Sequence, residues 1–227
     1  MPSVLITGAN RGIGLELARQ YAADGWEVLA CVRDTKKARV LHMMDGEVTV
    51  LPLDVTDEKS IRALAKKLQD RPIDLLINNA GIYGAGPQNF GSTSVKGWLE
   101  TFQTNCIAPL KLLEALAPNL ALGTLKTAAT VSSLMGSLTD LQSGGTYAYR
   151  TSKAAVNMAM AIAARDLKDR GIKVIILNPG WVKTDMGGSA APLEPADSVA
   201  GIRRVLAKVK MSDSGKFINY NGEKLPW

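Results

Sequence analysis

The chain has 227 residues, 46% of them hydrophobic and 21% charged, as expected for one globular domain with a substantial core. Two cysteines and a single histidine exclude a disulfide framework, a thiolate cluster and any metal site that needs two histidines. The net charge of +6 permits anionic ligands, but the basic residues are scattered, so no nucleic acid partner is expected. No apolar run has the length of a membrane span, and no signal segment precedes the first strand. We therefore expect a cytoplasmic protein with no membrane partner.

The first element predicted is a buried parallel strand at Ser3–Thr7, which leads into a glycine-rich loop and a helix. The loop contains Gly8, Gly12 and Gly14 in the spacing G-x-x-x-G-x-G. A strand, a glycine turn and a helix N-terminus in this order present backbone N–H groups that stabilise a pyrophosphate. A tight turn without a ligand is the alternative, but the position after the first strand favours a dinucleotide.

The end of the second predicted strand, 27–32, indicates which dinucleotide the protein binds. An NAD site places a carboxylate at the tip of this strand, where it binds the ribose 2′-hydroxyl. Here Val32 and Arg33 occupy that tip. Because a guanidinium pairs with a 2′-phosphate, NADP is favoured over NAD. Arg11 is a second candidate for this phosphate, while Asp34 weakens the inference unless it points away.

Polar residues end the third and fourth predicted strands, 48–53 and 73–77, at the sheet edge where such folds bind ligands. Asp54 is a candidate contact of the adenine amino group, and a capping aspartate is nearly as good a reading. Asn78-Asn79-Ala80-Gly81 is suited to joining neighbouring strands and leaving room for a ribose, with a plain glycine turn as the alternative. A helix is predicted between these strands over 56–69, and the glycine-rich loop 82–94 is a candidate pocket wall.

A long helix is predicted over 95–117, with a kink at Pro109 because proline removes one hydrogen bond of the helix. Asn105 lies just before it among apolar neighbours, and a buried amide requires partners. The fifth strand is predicted over 126–132. It is followed by Ser133.

Tyr149 and Lys153 are four residues apart on the next predicted helix, so they project from the same face. A nearby ammonium lowers the pKa of a phenol and brings it nearer the range useful for acid–base chemistry. Alone this pair is a weak motif, and its chance occurrence is the simpler reading. The helix that continues over 154–164 is almost entirely apolar, which indicates burial on several sides or a face shared between copies in a homodimer or homotetramer.

The rest of the chain predicts a sixth strand at 172–177, a final helix at 199–210 and a last strand at 216–219. Between the sixth strand and that helix, the segment 183–197 is rich in small residues and proline, and we expect it to form a mobile flap over a site. Alternating strands and helices indicate one α/β domain, residues 1–227, with a doubly wound parallel sheet of about seven strands.

Taken together, these motifs resemble those of the short-chain dehydrogenase/reductase family over essentially the whole chain. The sequence around Tyr149 and Pro179-Gly180 resembles that of the C-factor-like and sniffer-like carbonyl reductases of this family. The resemblance implies a Rossmann-type domain. It also implies an NADPH-dependent oxidoreductase that reduces a small aldehyde or ketone. Tyr149 would then be the general acid, Lys153 would lower its pKa and hold the nicotinamide ribose, Ser133 would bind the substrate oxygen, and Asn105 would support a proton-relaying water. The implied cofactor-binding residues are Gly8, Asn10, Arg11, Gly12, Ile13, Gly14, Arg33, Asp54, Val55, Asn79, Ala80, Gly81, Tyr149, Lys153, Pro179, Gly180, Val182 and Thr184.

Two assignments compete within this pattern. Ser132 precedes Ser133, and strand alternation sends the two to opposite faces; Ser133 is preferred because Gly136 follows three residues later, as in the family. Tyr147 precedes Tyr149, but the residue four positions after Tyr147 is the uncharged Thr151. The interval between Ser133 and Tyr149 is longer than the family's commonest spacing, and the carbonyl reductase branch tolerates such an insertion.

A signalling or regulatory protein that binds the dinucleotide as a ligand or sensor is the alternative function. The C-factor-like members with developmental signalling roles motivate it. The presence of Asn105, Ser133, Tyr149 and Lys153 favours catalysis, because a binding module needs only the glycine loop.

Overall fold

The computed structural model describes residues 1–227 and contains a seven-stranded sheet. The strands are β1 (Ser3–Thr7), β2 (Glu27–Val32), β3 (Val48–Pro52), β4 (Leu75–Asn78), β5 (Thr127–Val131), β6 (Lys173–Asn178) and β7 (Phe217–Asn219). Their order is β3-β2-β1-β4-β5-β6-β7, and every neighbouring pair is parallel. The predicted fold class is therefore confirmed. The strand order reverses between β1 and β4, and in such sheets that point opens a crevice at the carboxyl ends of the strands.

Seven α-helices connect the strands. They are α1 (Gly12–Ala23), α2 (Arg39–His42), α3 (Glu58–Lys67), α4 (Val95–Phe102), α5 (Ala108–Leu122), α6 (Tyr147–Asp166) and α7 (Pro195–Leu206). None of them combines the length and the apolar character that crossing a membrane requires.

The helices cover both faces of the sheet and produce two hydrophobic cores. Leu5 and Leu29 of the central strands pack into the core that contains residues of α3, α5 and α6. Their sequence neighbours Val4 and Ile6 pack into the core shared with α1 and α7. Successive side chains of a strand point to opposite faces, so strands covered on both sides must be apolar at every position. That is why β1 reads as a continuous apolar run.

The helix predicted over 95–117 is interrupted rather than kinked at proline. A π-helical turn, Gln103–Ile107, separates α4 from α5. Pro109 lies in the first turn of α5, directly after the π-helical turn. The irregularity therefore precedes the proline and contains Asn105.

Other elements also differ from the expectation, and two of these differences are notable. The short helix α2 was not predicted; it ends at His42, whose Nε2 lies 2.9 Å from the Thr35 carbonyl oxygen. The last helix begins at Pro195 instead of residue 199, because proline is well accommodated in a first helical turn. The helix therefore includes the last three residues of the predicted flap.

The expectation that α6 is buried on several sides holds for one face only. Val156 and Met160 are fully buried, whereas Met158 and Ile162 are 64% and 51% exposed. Burial within the chain does not explain the second pair. A contact between copies through this face stays a prediction.

Candidate active site

A cleft of about 1400 Å³ opens at the carboxyl ends of β1, β2, β4 and β5. It extends from the glycine loop to Tyr149 and Lys153. The predicted residues that line it are Gly8, Asn10, Arg11, Ile13, Arg33, Asp54, Val55, Asn79, Ala80, Gly81, Tyr149, Lys153, Pro179 and Thr184. The predicted residues that do not line it are Gly12, Gly14, Asn105, Ser133, Gly180 and Val182. Most of the candidates, separated widely in sequence, therefore share one cavity.

The glycine loop forms one end of this cleft. Gly8 and Gly12 have φ angles of 64° and 52°, a region that favours glycine. A Cβ on Gly14 would lie 2.2 Å from the Gly8 carbonyl oxygen, so the turn closes only without a side chain. No side chain caps α1, and the first N–H groups of a helix have no partners within it. The loop thus fits a dinucleotide diphosphate.

Hydrogen bonds join the ends of β1 and β4 beneath the loop. The backbone N–H groups of Asn79 and Ala80 both donate to Thr7 Oγ1, each at 2.9 Å. The Asn79 amide donates to the carbonyl oxygens of Thr7 and Gly8, at 2.9 and 3.3 Å. The strand-joining role expected for the asparagine is therefore present next to the loop.

The far end of the cleft beyond β2 carries positive and negative groups. Arg33 and Lys37 both line it, and Lys37 is a cation that the sequence had indicated only as part of a solvated surface. Asp34 is turned toward its own loop, where it accepts a hydrogen bond from the Lys36 N–H at 3.0 Å and lies 3.6 Å from Lys37 Nζ. Arg11 lies 3.1 Å from Asp185 across the mouth of the cleft, and both side chains are exposed.

Asp54 was predicted either to contact the adenine or to cap a turn, and its position is compatible with both. Its Oδ1 accepts hydrogen bonds from the N–H and hydroxyl of Thr56, at 2.9 and 2.7 Å, so it caps a local turn. Hydrogen bonding by Thr56, with a smaller contribution from the Arg33 charge, lowers the pKa of this carboxyl. It lines the cleft as well, as an ionised acceptor.

Tyr149 and Lys153 lie at the floor of the other end. The Lys153 Nζ is 5.7 Å from the centre of the Tyr149 ring and donates to the Val131 carbonyl oxygen at 2.9 Å. Burial lowers the pKa of Lys153 to about 8. Burial also raises the pKa of Tyr149, an effect that side-chain hydrogen bonding to Ser133 opposes.

The net direction for Tyr149 is opposite to the one expected from its spacing to Lys153. The helix brings the two groups together, but burial raises the pKa of Tyr149 and lowers the pKa of Lys153. The phenol therefore retains its proton at neutral pH, as a proton donor requires. The prediction of a lowered tyrosine pKa is wrong for the chain by itself.

Adjacent serines have different surroundings. Ser132 is buried, and its hydroxyl donates to Asn157 Oδ1 at 2.5 Å. Ser133 caps the following 3₁₀ turn, accepting a hydrogen bond from the Met135 N–H at 3.2 Å, and its side chain also interacts with Tyr149.

Asn105 is buried within the π-helical turn and joins three parts of the site. Its amide donates to the Ile82 carbonyl oxygen at 2.8 Å and to Ser152 Oγ at 3.0 Å. Its Oδ1 accepts from the Ile82 N–H at 2.9 Å. A Cβ on Gly81 would lie 3.2 Å from this Oδ1 and 3.7 Å from Lys153 Nζ, so both groups lie close to that glycine.

The segment predicted as a flap is fastened at several points. Lys183 N–H donates to the Leu193 carbonyl oxygen at 2.8 Å, and the Leu193 N–H donates to Trp181 at 3.3 Å. The Thr184 hydroxyl accepts from the Gly187 N–H at 3.1 Å. Pro179, Thr184 and Met186 line the cleft, so the segment borders it whatever its mobility.

Two residues near Tyr149 were missed from the sequence. The Tyr83 ring packs on the Tyr149 ring, with centres 5.0 Å apart and planes inclined by 33°. Gln88 is buried and hydrogen-bonded to the backbone of Tyr149. Both lie in the glycine-rich loop 82–94, and only their residue types, an aromatic and an amide among small residues, could have drawn attention to them.

A doubly wound parallel sheet whose central crevice carries a glycine loop at one end and a buried tyrosine–lysine pair at the other defines a dinucleotide-dependent oxidoreductase. The model of the short chain dehydrogenase family matches residues 2–194. The chain therefore belongs to the short-chain dehydrogenase/reductase family, and it is an NAD(P)-dependent oxidoreductase.

Similar proteins place the chain in the C-factor-like and sniffer-like branch of this family. The C-signal protein of Myxococcus xanthus is 42% identical over 167 residues, which cover 74% of this chain and 100% of that protein. The carbonyl reductase Sniffer of D. melanogaster superposes with a TM-score of 0.92 at 32% identity, covering 100% of both chains. A carbonyl reductase from chicken fatty liver, solved with NADPH bound, superposes with a TM-score of 0.89 at 36% identity, covering 100% of this chain and 99% of the other.

Proposed function

We propose that this protein is an NADPH-dependent carbonyl reductase, which converts small aldehydes or ketones to alcohols with Asn105, Ser133, Tyr149 and Lys153. The observation that carries the proposal is the position of the buried, protonated Tyr149 phenol. It interacts with Ser133 and lies near Lys153 at one end of a cleft whose other end is a glycine loop suited to a diphosphate. Sniffer and the chicken protein, both named carbonyl reductases, support the reaction class.

The side chains have complementary roles in this proposal. Bound NADPH supplies the hydride. Tyr149 donates its proton to the carbonyl oxygen, and Ser133 donates a hydrogen bond to the same oxygen, where negative charge develops. Lys153 uses one N–H on the Val131 carbonyl, which leaves its other donors for the ribose hydroxyls.

Proton supply to Tyr149 is assigned to Lys153 and Asn105. Asn105 Oδ1 and Lys153 Nζ both lie close to Gly81, and in the proposal they bind the water that relays the proton. The π-helical turn around Asn105 supports this role, because it directs a buried amide toward Ile82 and Ser152 of the tyrosine helix.

NADPH is preferred over NADH in the proposal because the tip of β2 carries cations. Arg33 is the proposed contact of the 2′-phosphate, with Arg11 as a second cation. Asp54 and Val55 are assigned to the adenine, Asn79, Ala80 and Gly81 to the adjoining ribose, and Val182 and Thr184 to the nicotinamide side. Gly12, Gly14 and Gly180 shape the backbone that surrounds these contacts, and the segment 183–197 is proposed to cover the substrate.

The proposal is tested by assaying carbonyl compounds with NADPH, comparing the wild type with Tyr149→Phe. The phenylalanine ring still packs on Tyr83, but the proton donor is missing. We expect activity to fall by roughly 100- to 10,000-fold, the usual contribution of a general acid or base, while the NADPH dissociation constant changes little. Near-normal turnover in Tyr149→Phe would show that another group donates the proton.

A regulatory role is the second candidate, supported by the likeness to the C-signal protein. In that role the dinucleotide is a ligand, and the chain transmits its bound state. Tight NADPH binding without turnover of any compound in a broad carbonyl panel would favour this candidate. Turnover that depends on Tyr149 would favour the reductase.

A further inference from the structure

The helix that carries Tyr149 begins without a cap of its own. Thr146, at its N-terminal boundary, has φ 50° and ψ 41°, and its side chain caps no N–H group. The first N–H groups of any helix lack partners within the helix, and leaving them unpaired in a buried position is costly. Tyr147 and Tyr149 both lie in this first turn.

Gln88 provides the missing partners from a distant segment. Its carbonyl oxygen accepts the Tyr147 N–H at 3.1 Å, and its side-chain Oε1 accepts the Tyr149 N–H at 3.0 Å, across 61 residues of sequence. Its Nε2 donates to the Tyr83 carbonyl oxygen at 2.9 Å. The residue is only 8% exposed. One buried side chain therefore joins the start of α6 to the residue whose ring packs on Tyr149.

The segment between Ile82 and Gln88 is held at both ends. Asn105 binds the N–H and the carbonyl of Ile82, while Gln88 binds α6. Gly84 lies between, with φ 100°, and a Cβ there would come within 2.4 Å of Thr101 Oγ1. The segment is consequently a short surface strap, fastened at both ends, with the Tyr83 ring 5.0 Å from the Tyr149 ring.

We propose that Gln88 is a positioning residue for the reductase reaction, which fixes Tyr149 by capping its helix and anchoring the Tyr83 ring against it. This inference rests on the proposed function of Tyr149 and adds a residue that does not line the cleft. Proton transfer depends steeply on donor position, and a displacement of about 1 Å can reduce a rate by about 100-fold. Loss of the Gln88 amide therefore reduces turnover while leaving the distant glycine loop unaltered.

Three variants test the proposal. Gln88→Met retains length and volume but has neither the donor nor the acceptor. Gln88→Glu retains an acceptor for the Tyr149 N–H, and a carboxylate is favourable at a helix N-terminus. Gln69→Met is the matched control, because Gln69 is exposed and lies outside the cleft. Each variant is measured for turnover per NADPH-binding site, for the KM of substrate, for the NADPH dissociation constant and for amide hydrogen exchange at residues 147–150.

We expect Gln88→Met to lower kcat per site by roughly 10- to 100-fold, with the KM and the NADPH dissociation constant within about 3-fold of wild type. Amide exchange at 147–150 should be faster in Gln88→Met than in the wild type. In Gln88→Glu, both kcat per site and the exchange rate should return most of the way to the wild-type values. Gln69→Met should match the wild type. A purely structural role would instead reduce the number of NADPH-binding sites while leaving kcat per site unchanged.

Unchanged kcat per site, or unchanged exchange at 147–150 in Gln88→Met, would overturn the proposal. If the wild type reduces no carbonyl compound, the proposed function fails. The exchange measurement still decides the inference in that case. Faster exchange at 147–150 in Gln88→Met, with a return to the wild-type rate in Gln88→Glu, supports the positioning of Tyr149. Unchanged exchange in Gln88→Met contradicts it.

Discussion

Ser132 and Ser133 follow one another at the end of β5, yet their hydroxyl groups have different partners. Ser132 binds Asn157 in the interior, whereas Ser133 interacts with Tyr149. The alternation of a strand explains the divergence, since neighbouring side chains leave on opposite faces. Ser132 borders the cleft but its hydroxyl is bound to Asn157, so Ser133, beside Tyr149, is the serine proposed to bind the substrate oxygen.

We expect Ser133→Ala to lower kcat strongly and, through loss of the cap on the 3₁₀ turn, to reduce stability by about 1 kcal/mol. Ser132→Ala should have a smaller kinetic effect but reduce the free energy of unfolding by about 1–3 kcal/mol, because it removes the hydroxyl that donates to buried Asn157. Steady-state kinetics and urea unfolding of both variants, side by side, measure the two effects. The reversed kinetic ranking would assign the substrate oxygen to Ser132.

Arg33 is the residue proposed to set the preference for NADPH over NADH. It lies in the cleft near Asp54, and no carboxylate occupies the tip of β2 to repel a 2′-phosphate. A charge-assisted hydrogen bond contributes roughly 1.5–3 kcal/mol, so Arg33→Ala should weaken NADPH by about 10- to 100-fold and leave NADH almost unchanged.

Fluorescence titration of both cofactors against the wild type, Arg33→Ala and Arg62→Ala tests this preference. Arg62 is a suitable control because it is exposed on α3 and outside the cleft. Equal affinity of the wild type for the two cofactors, or equal losses in Arg33→Ala, would contradict the assignment.

Close packing around Gly14 constrains the start of helix α1. Gly14 lies against the Gly8 carbonyl and the Asn79 amide, so the helix, the loop and the end of β4 meet without room for a methyl group. We expect Gly14→Ala to weaken NADPH binding and to destabilise the fold by about 1–3 kcal/mol through overpacking. Calorimetric titration and thermal unfolding measure both.

Gly144→Ala provides the control for this substitution, since a Cβ there has nothing within 4 Å and the residue lies far from the loop. Comparable losses in both variants would indicate a general effect of the change from glycine to alanine. In that case the close approach at Gly14 would not explain the result.

At the scale of the whole molecule, folding places Lys153 in an interior that disfavours its charge. Its pKa falls to about 8 from the usual 10.5. Below about pH 8 the lysine is charged in both states and the folded state bears the full penalty; above 10.5 it is neutral in both and the penalty is absent. Between these values the unfolded state binds more protons, so stability rises with pH.

The free energy of unfolding of the wild type should therefore rise relative to Lys153→Met across this interval, by up to about 1.4 kcal/mol per pH unit. Urea unfolding from pH 7 to 10, with no nucleotide added, measures the difference. Lys66→Met, at an exposed position on α3, should show no such trend against the wild type. A difference independent of pH for Lys153→Met would mean that the buried lysine is not desolvated.

Much of the architecture was predictable because it depends on local patterns. Continuous apolar runs, glycine turns and helical periodicity placed the strands and most helices, and the order of the elements then required a parallel sheet with helices on both faces. The spacing of Tyr149 and Lys153 and the glycines after β1 also follow from local geometry. The roles of these residues stay predictions until the variants are measured.

Only the tertiary structure decided the features that depend on segments distant in sequence. It shows that Gln88 caps a helix 61 residues away, that Tyr83 packs on Tyr149, and that a π-helical turn precedes Pro109. It also reverses the expected pKa shift of Tyr149, because burial is a property of the assembled core rather than of residue spacing. Local sequence patterns determine which elements form, whereas desolvation and long-range hydrogen bonds arise only when those elements meet.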